Sequence, residues 1–245
     1  MAAVRVDRVS KSFGDRKVLD RVSFEVPSGC GFGILGRSGT GKSVALRHII
    51  GLMRPDSGRV YVFDDEVSAL TGTELARVRR GIGFLFQNAA LFDSITVGEN
   101  VAFPLRRHTR LRDDEIREKV LEKLRAVGLE RDYYRMPAAL SGGMRKRAGL
   151  ARAMALDPPL LLVDEPSAGL DPITTDEIDG LLLDLKQRAG TTIVLVTHNI
   201  PSARRLGDRL LMIHEGQIVA EGSPEELAAS PNELVRAFMR AEHAG

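Results

Sequence analysis

The stretch Gly36-Arg37-Ser38-Gly39-Thr40-Gly41-Lys42-Ser43 constrains this chain more than any other. It fits G-x-x-x-x-G-K-[ST] at every fixed position. It also sits where such a loop works, after the apolar run Gly31 to Leu35 and before a helical pattern from Ser43 to Leu52. In that pattern Val44, Leu46, Ile49 and Ile50 fall near one face. The spacing has a chemical reason. Glycines let the backbone curl until successive N–H groups point inward at phosphate oxygens. Lys42 brings a positive charge to the β- and γ-phosphates, and the Ser43 hydroxyl is placed to ligate Mg²⁺. The helix that starts there aims its positive end at the same anion. The loop therefore predicts a bound nucleoside triphosphate.

Around the loop the apolar pattern alternates between strand and helix. Val4 to Val9 alternates, and Val18 to Val26 keeps period-two spacing up to the turn Pro27-Ser28-Gly29. Pro55-Asp56-Ser57-Gly58 ends the helix after the loop, and Arg59 to Val67 resumes as strand. Strand, glycine loop, helix and strand open a parallel α/β sheet. Residues 88–157 then read as a mostly helical insertion. Within it Ile116, Val120, Leu124 and Val127 recur at helical intervals from Asp113 to Val127, and Arg145 to Ala155 is helical and alanine-rich. Sheet returns with Leu160 to Val163 and Thr192 to Val196, near-continuous apolar runs of the kind buried on both faces. A helix from Asp176 to Arg188 separates them. The tail from Pro224 to Gly245 reads as one or two short helices, packed on the domain through Leu234, Val235, Phe238 and Met239.

Two strand ends and one helix start carry further chemistry. Leu160 to Val163 runs into Asp164 and Glu165, and a strand tip is where an open α/β sheet presents its ligand groups. Adjacent strand residues point to opposite sides, so the two carboxylates can take different jobs. Asp164 can hold Mg²⁺, and Glu165 can polarise the water that attacks the γ-phosphate. The next buried run closes on Thr197-His198, placing a histidine where it can sense the γ-phosphate. Leu140-Ser141-Gly142-Gly143-Met144 enters a helix with a hydroxyl and exposed backbone N–H groups, a second anion site. A second phosphate loop is redundant for one nucleotide within one domain. It makes sense if it caps nucleotide held by another copy.

Bulk properties exclude several classes. The chain has 245 residues, enough for one large domain or two small ones. Net charge is +2, which leaves no case for a nucleic-acid footprint. The single cysteine, Cys30, cannot form an internal disulfide, consistent with a reducing compartment. The opening MAAVRVDRVSKSFGD has charges every few residues and no apolar core, unlike a secretory signal. No stretch approaches the roughly 20 apolar residues of a membrane span, so any membrane connection is expected to run through another protein. His48, His108, His214 and His243 show no metal-ligand spacing.

These motifs, in this order, resemble the ATPase subunits of ABC transporters over nearly the whole chain. Gly36 to Ser43 matches the Walker A loop, Gln87 the Q-loop glutamine, and Leu140 to Met144 the signature. Asp164 and Glu165 match Walker B and the catalytic glutamate, Ala168 to Asp171 the D-loop, and His198 the switch histidine. Phe13 matches the aromatic that stacks on adenine, with Val18 beside it at the nucleotide. The resemblance implies an α/β P-loop NTPase with a RecA-like core, an N-terminal antiparallel β-subdomain and a helical subdomain insertion. It divides one domain into a core of residues 1–87 and 158–223, a helical part of 88–157 and a tail of 224–245. It implies ATP and Mg²⁺ as cofactors, with Ser43, Gln87 and Asp164 at the metal and Glu165, His198 and Gln87 in catalysis. Two subunits would pair head to tail as a homodimer, each ATP lying between one Walker A loop and the other copy's Ser141 loop. Gln87 would couple the nucleotide to an integral membrane permease, whose cytoplasmic loop would enter a groove on the helical subdomain. The protein would then be peripheral at the cytoplasmic face of the inner membrane.

The signature usually ends in glutamine or glutamate, and Met144 departs from that. Because the serine and backbone amides carry the phosphate contacts, Met144 reads as a subfamily mark. Ser43 to Leu52, Ala90 to Leu105, Ser141 to Ala153 and Asp171-Pro172-Ile173-Thr174 are similar to the Mla/MCE-associated branch, the ATPases of bacterial phospholipid transport. That likeness implies an MCE-domain lipid-binding protein and a small regulatory subunit as further partners. An importer ATPase for amino acids or another small solute is the alternative with the same motor. An ABC protein acting on DNA or ribosomes would need a second cassette or a long coiled coil, for which this chain has no room. A nucleotide holder without turnover would have favoured replacement of Glu165 or His198, and both are present.

Overall fold

The computed structural model describes residues 1–37 and 39–240. In chain order the strands are β1 (Ala2–Phe13), β2 (Arg16–Pro27), β3 (Gly31–Leu35), β4 (Ser57–Val62), β5 (Asp65–Glu66), β6 (Ile82–Leu85), β7 (Leu160–Asp164), β8 (Thr192–Val196), β9 (Arg209–His214) and β10 (Gln217–Gly222). The α-helices are α1 (Lys42–Ile49), α2 (Gly72–Arg79), α3 (Val97–His108), α4 (Asp113–Ala126), α5 (Gly142–Ala153), α6 (Pro172–Ala189), α7 (Ile200–Leu206), α8 (Pro224–Ala228) and α9 (Glu233–Arg240). An antiparallel sheet runs β2-β1-β4-β5, and a larger sheet runs β10-β9-β3-β8-β7-β6. In the larger sheet β6, β7, β8, β3 and β9 are parallel, and β10 closes one edge antiparallel to β9.

The difference between the sheets follows from their residues. Along β2, Leu19, Val22, Phe24 and Val26 are buried while the residues between them face outward, the pattern of a sheet wet on one side. Every residue of β3, β6, β7 and β8 is buried. Strand alternation sends their side chains into different cores. Leu160, Leu162, Val194 and Val196 join Phe32 and Ile34 in a core shared with α1 and the antiparallel sheet. Leu161, Val163, Ile193 and Leu195 pack instead with Val101, Leu105, Val120, Leu124 and Leu150 of the helical region and with Ile178 and Leu182 of α6. Between β6 and β7 the chain forms α3, α4 and α5, which share an apolar core with β7 and β8.

Some elements run differently from the sequence reading. The strand expected from Arg59 to Val67 breaks after Val62, where Phe63 takes a positive φ of 53° and turns the chain. The helix expected from Asp176 begins at Pro172, because Asp171 caps it and proline suits the first turn. In the tail, Val235 and Met239 pack with Leu35, Ile200, Met212 and Leu227, and Phe238 lies against them. Leu234, expected on that apolar face, is 37% exposed. Residues 241–245 of the expected tail lie outside the described residues.

Candidate active site

The phosphate loop joins β3 to α1, and two of its glycines are demanded by the space around them. Gly36 has φ 150°, and a Cβ there would meet Ile213 O at 2.4 Å. Gly41 has φ 101°, and a Cβ would meet Val18 O at 2.7 Å. A side chain at Gly36 would push the loop off β9, and one at Gly41 would push it off the β1–β2 hairpin. That hairpin also holds the loop directly, since Arg16 donates from Nη2 to Gly39 O at 2.9 Å. Thr40 donates its hydroxyl to Arg37 O at 2.8 Å, closing the turn. Ser38, assigned to this loop, lies outside the described residues.

Lys42 opens α1 and is 5% exposed. Its ammonium donates to Gly36 O at 2.8 Å and Arg37 O at 3.0 Å, folding back over the loop it follows. Burial pushes the ammonium down from its ordinary value, against the pull of the Glu165 and Asp164 carboxylates. Ser43 donates its hydroxyl to Asp164 Oδ1 at 2.8 Å. Burial pushes the Asp164 carboxyl up, and the Ser43 hydrogen bond, Arg47 and Lys42 only partly oppose this. A hydroxyl and a buried carboxylate in contact at a helix start suit a hard cation shared with phosphate oxygens. Among the described residues no cluster of three or more His, Cys, Asp or Glu could hold a metal by itself.

Glu165 departs from the sequence reading. It lies beyond the end of β7 with φ 48°, so a left-handed turn, and not strand alternation, separates the two carboxylates. Its N–H donates to Val196 O at 2.9 Å, tying the turn to the tip of β8. Glu165 Oε1 then stands 3.8 Å from Lys42 Nζ, and Oε2 stands 2.8 Å from His198 Nδ1. The approach of the imidazole is too oblique for a hydrogen bond, leaving Nδ1 buried without a partner among the described residues. Lys42, Ser43, Asp164, Glu165 and His198 therefore meet at one end of the parallel sheet.

Other expected residues stand apart from this cluster. Gln87 is exposed in the turn after β6, and no hydrogen bond ties it to Ser43 or Asp164. Phe13 ends β1 with 48% of its surface exposed, paired with Arg16, and Val18 is half-buried against Gly41. Ser141 caps α5 by accepting a hydrogen bond from the Met144 N–H at 3.2 Å. Gly142 borders Leu170, and a Cβ at Gly143 would meet Thr174 Cγ2 at 2.4 Å. The Ser141 loop thus leans on the start of α6, and no hydrogen bond or ion pair joins residues 141–145 to residues 36–43 among the described residues. The Asp171 carboxylate is occupied as a cap, accepting from the Thr174 N–H at 3.0 Å and its hydroxyl at 2.6 Å. Those bonds hold its carboxyl below the ordinary value.

One residue at the site was not singled out from sequence. Lys146 is 6% exposed on α5 and donates from Nζ to Glu165 O at 3.0 Å. Its place in a run of three basic residues, Arg145-Lys146-Arg147, does not single it out, and only the packing does.

The ABC transporter family profile matches residues 19–168, a span that includes the phosphate loop, Ser141 and the acidic pair. The chain belongs to the ABC transporter family. This ABC protein is 41% identical over 231 residues to the Escherichia coli K12 intermembrane phospholipid transport system ATP-binding protein MlaF, covering 94% of this chain and 86% of that protein. It is 42% identical over 243 residues to the probable ribonucleotide transport ATP-binding protein mkl of Mycobacterium leprae, covering 99% of this chain and 70% of that protein. Among solved structures it resembles the dimeric post-hydrolysis state of the ATP-binding cassette MJ0796 bound to ADP and Pi, with TM-score 0.84 and 36% identity over 90% of this chain and 98% of that one. CbiO1 of Clostridium perfringens, part of the ABC transporter complex cbiONQ, matches with TM-score 0.84 and 28% identity over 98% of this chain and 95% of that one. The two-sheet α/β architecture is that of an ABC ATPase, and as a family member the chain is an ATP-binding ATPase subunit. Among the described residues no helix is long and apolar enough to cross a membrane.

Proposed function

We propose that this ABC protein works as a pair of copies that hydrolyse ATP at their shared interface and drive phospholipid transport through a separate membrane permease. The observation that carries the pairing is the separation of two phosphate-type helix starts. The start of α1 has Asp164, Glu165 and His198 beside it, whereas the Ser141 start packs on Leu170 and Thr174, and among the described residues no hydrogen bond or ion pair joins it to the phosphate loop of its own chain. A second copy would bring its Ser141, Gly142 and Gly143 over ATP held by Gly36 to Ser43. The dimeric state of the MJ0796 cassette supports the same reading.

In this reading Phe13 stacks on the adenine with Val18 beneath it, and Lys42 exchanges its loop carbonyls for phosphate oxygens. Ser43 and Asp164 would hold Mg²⁺, with Gln87 reaching from its exposed turn, and the ion would supply charge neutralisation at the β- and γ-phosphates. Glu165 accepts a proton from the attacking water at a carboxylate oxygen, and His198 orients Glu165 and that water. Asp171 acts from the D-loop by fixing the start of α6 beside the partner's nucleotide. Residues 1–87 and 158–223 form the catalytic core and residues 88–157 the arm that meets the permease. The protein then sits at the cytoplasmic face of the inner membrane.

Phospholipid as cargo is supported by the likeness to MlaF along most of both chains. The likeness to mkl, named for ribonucleotide transport, favours a second reading in which the same motor serves a small solute. An MCE-domain protein and a small regulatory subunit belong to the first reading only. The catalytic reading is tested with Glu165→Gln, which should keep ATP binding, lose turnover and trap a dimer in ATP. A monomeric, active E165Q protein would overturn the shared-interface mechanism. The cargo is tested by purifying the tagged chain from its native membranes and identifying proteins and lipids by mass spectrometry. A permease with an MCE-domain protein and bound phospholipid supports the first reading; a permease with a solute-binding protein replaces it with the second.

A further inference from the structure

Helix α5 carries two cations, six residues apart, that reach the same kind of target. Lys146 donates to the main-chain oxygen of Glu165 at 3.0 Å, and Glu165 has φ 48°. Arg152 donates to Ala90 O at 2.8 Å and Ala89 O at 3.1 Å, and those residues have φ 48° and 57°. Each cation thus holds the carbonyl of a non-glycine residue in the left-handed region, a conformation that persists only where its surroundings impose it. The two turns held this way are those of the acidic pair and of the segment directly after Gln87-Asn88. At its other end the helix begins at Ser141, where Arg145 donates from Nη1 to Leu140 O at 2.8 Å and Gly143 fits against Thr174.

Lys146 is the more telling of the two because it is 6% exposed. An ammonium removed from water is costly unless its contacts compensate, and its hydrogen bond among the described residues is the one to Glu165. A methionine would fill the same volume without that desolvation, so packing alone does not account for a charge here. The contact joins the helix that opens at the Ser141 loop to the backbone of Glu165, whose carboxylate stands 2.8 Å from the His198 ring.

We propose that Lys146 is a positioning residue for ATP hydrolysis: through α5 it ties the Ser141 loop to the left-handed turn of Glu165, so that loop engagement sets the Glu165 carboxylate. The inference rests on the hydrolytic reading of the site given above. Its test is steady-state ATPase kinetics and ATP binding of the full chain with Lys146→Met, which keeps the apolar stem, and Lys146→Gln, which keeps a neutral donor. For K146M, kcat should fall about tenfold or more while KM and the ATP dissociation constant stay within about twofold. K146Q should recover most of the lost rate, because the main-chain oxygen again has a donor. Lys146→Leu replaces K146M if the methionine variant does not fold.

Wild-type kcat in a folded K146M or K146L protein overturns the proposal. So does a parallel loss of ATP affinity and rate, or failure of both donor-less variants to fold, each of which makes Lys146 a structural residue. E165Q measured alongside keeps the two questions apart. An inactive E165Q with an unaffected K146M removes only the role of Lys146, whereas an active E165Q removes the hydrolytic reading beneath it.

Discussion

At the scale of single residues, the site is a set of charges held in conflict with burial. Lys42 and Lys146 are pushed down and Asp164 is pushed up, all chiefly by desolvation, and each has a partner that only partly offsets it. In the proposed reading Lys42 and Asp164 would gain when phosphate and a cation arrive, which is a reason for the site to tolerate them. Asp179 is different, because it has the same burden without the function. It is 2% exposed on α6, and among the described residues neither its Oδ1 nor the nearby Ser202 Oγ has a hydrogen-bond partner. Burial raises its carboxyl above the ordinary aspartate value, with the charge of Arg205 opposing and that of Asp176 assisting. The folded protein therefore holds that proton more tightly than the unfolded chain does. Stability falls as pH climbs from the ordinary aspartate value through the raised one, and it stays lowered above that. Asp179→Asn should abolish this slope and raise the thermal midpoint at neutral pH, by about 2–4 °C for each kcal/mol gained. Thermal unfolding of both proteins across the acid range checks it; an unchanged or lower midpoint at neutral pH would show that Asp179 carries no net burden.

At the scale of elements, burial decides which apolar residues matter, and the tail shows it well. Met239 is 2% exposed within the cluster under α9, while Leu234, five residues earlier, is 37% exposed. Met239→Ala should lower stability by about 2 kcal/mol, the lower end for a buried methionine because α9 is a short helix with only Val235 and Met239 buried. Leu234→Ala should change it by less than about 0.5 kcal/mol. Chemical denaturation of the two variants checks the contrast, and equal losses would mean that α9 is seated on another face. The helical spacing marked both residues as one apolar face. Spacing identifies a stripe about 100° wide but not where along it the neighbouring element sits.

At the scale of the whole molecule, the function proposed here needs two copies, and that can be tested without a partner protein. Lys42→Ala should lose most ATP binding, and Ser141→Arg should bind nucleotide yet hydrolyse little. Mixed, they should regain ATPase activity, because one interface of the mixed pair joins an intact phosphate loop to an intact Ser141 loop. A mixture as inactive as its components would show that both motifs serve the same chain's nucleotide. Much of this architecture was legible beforehand. The phosphate loop, the acidic pair, Thr197-His198 and the boundaries of β3 and β8 follow from local pattern, because glycine freedom, strand burial and helix starts are set by a few consecutive residues. What that pattern determined was an α/β ATP-binding fold, with the residues proposed for its site at or just beyond the strand tips. Other features only the tertiary structure decided. It turned Glu165 off its strand through a bond to β8, used Asp171 as a cap, and buried Lys146 from a basic run against the acidic pair. It also set the Ser141 loop against the start of α6, with no bond to its own phosphate loop among the described residues. Each of these depends on contacts between residues distant in the chain, and a run of neighbouring residues does not record which distant surface will cover it.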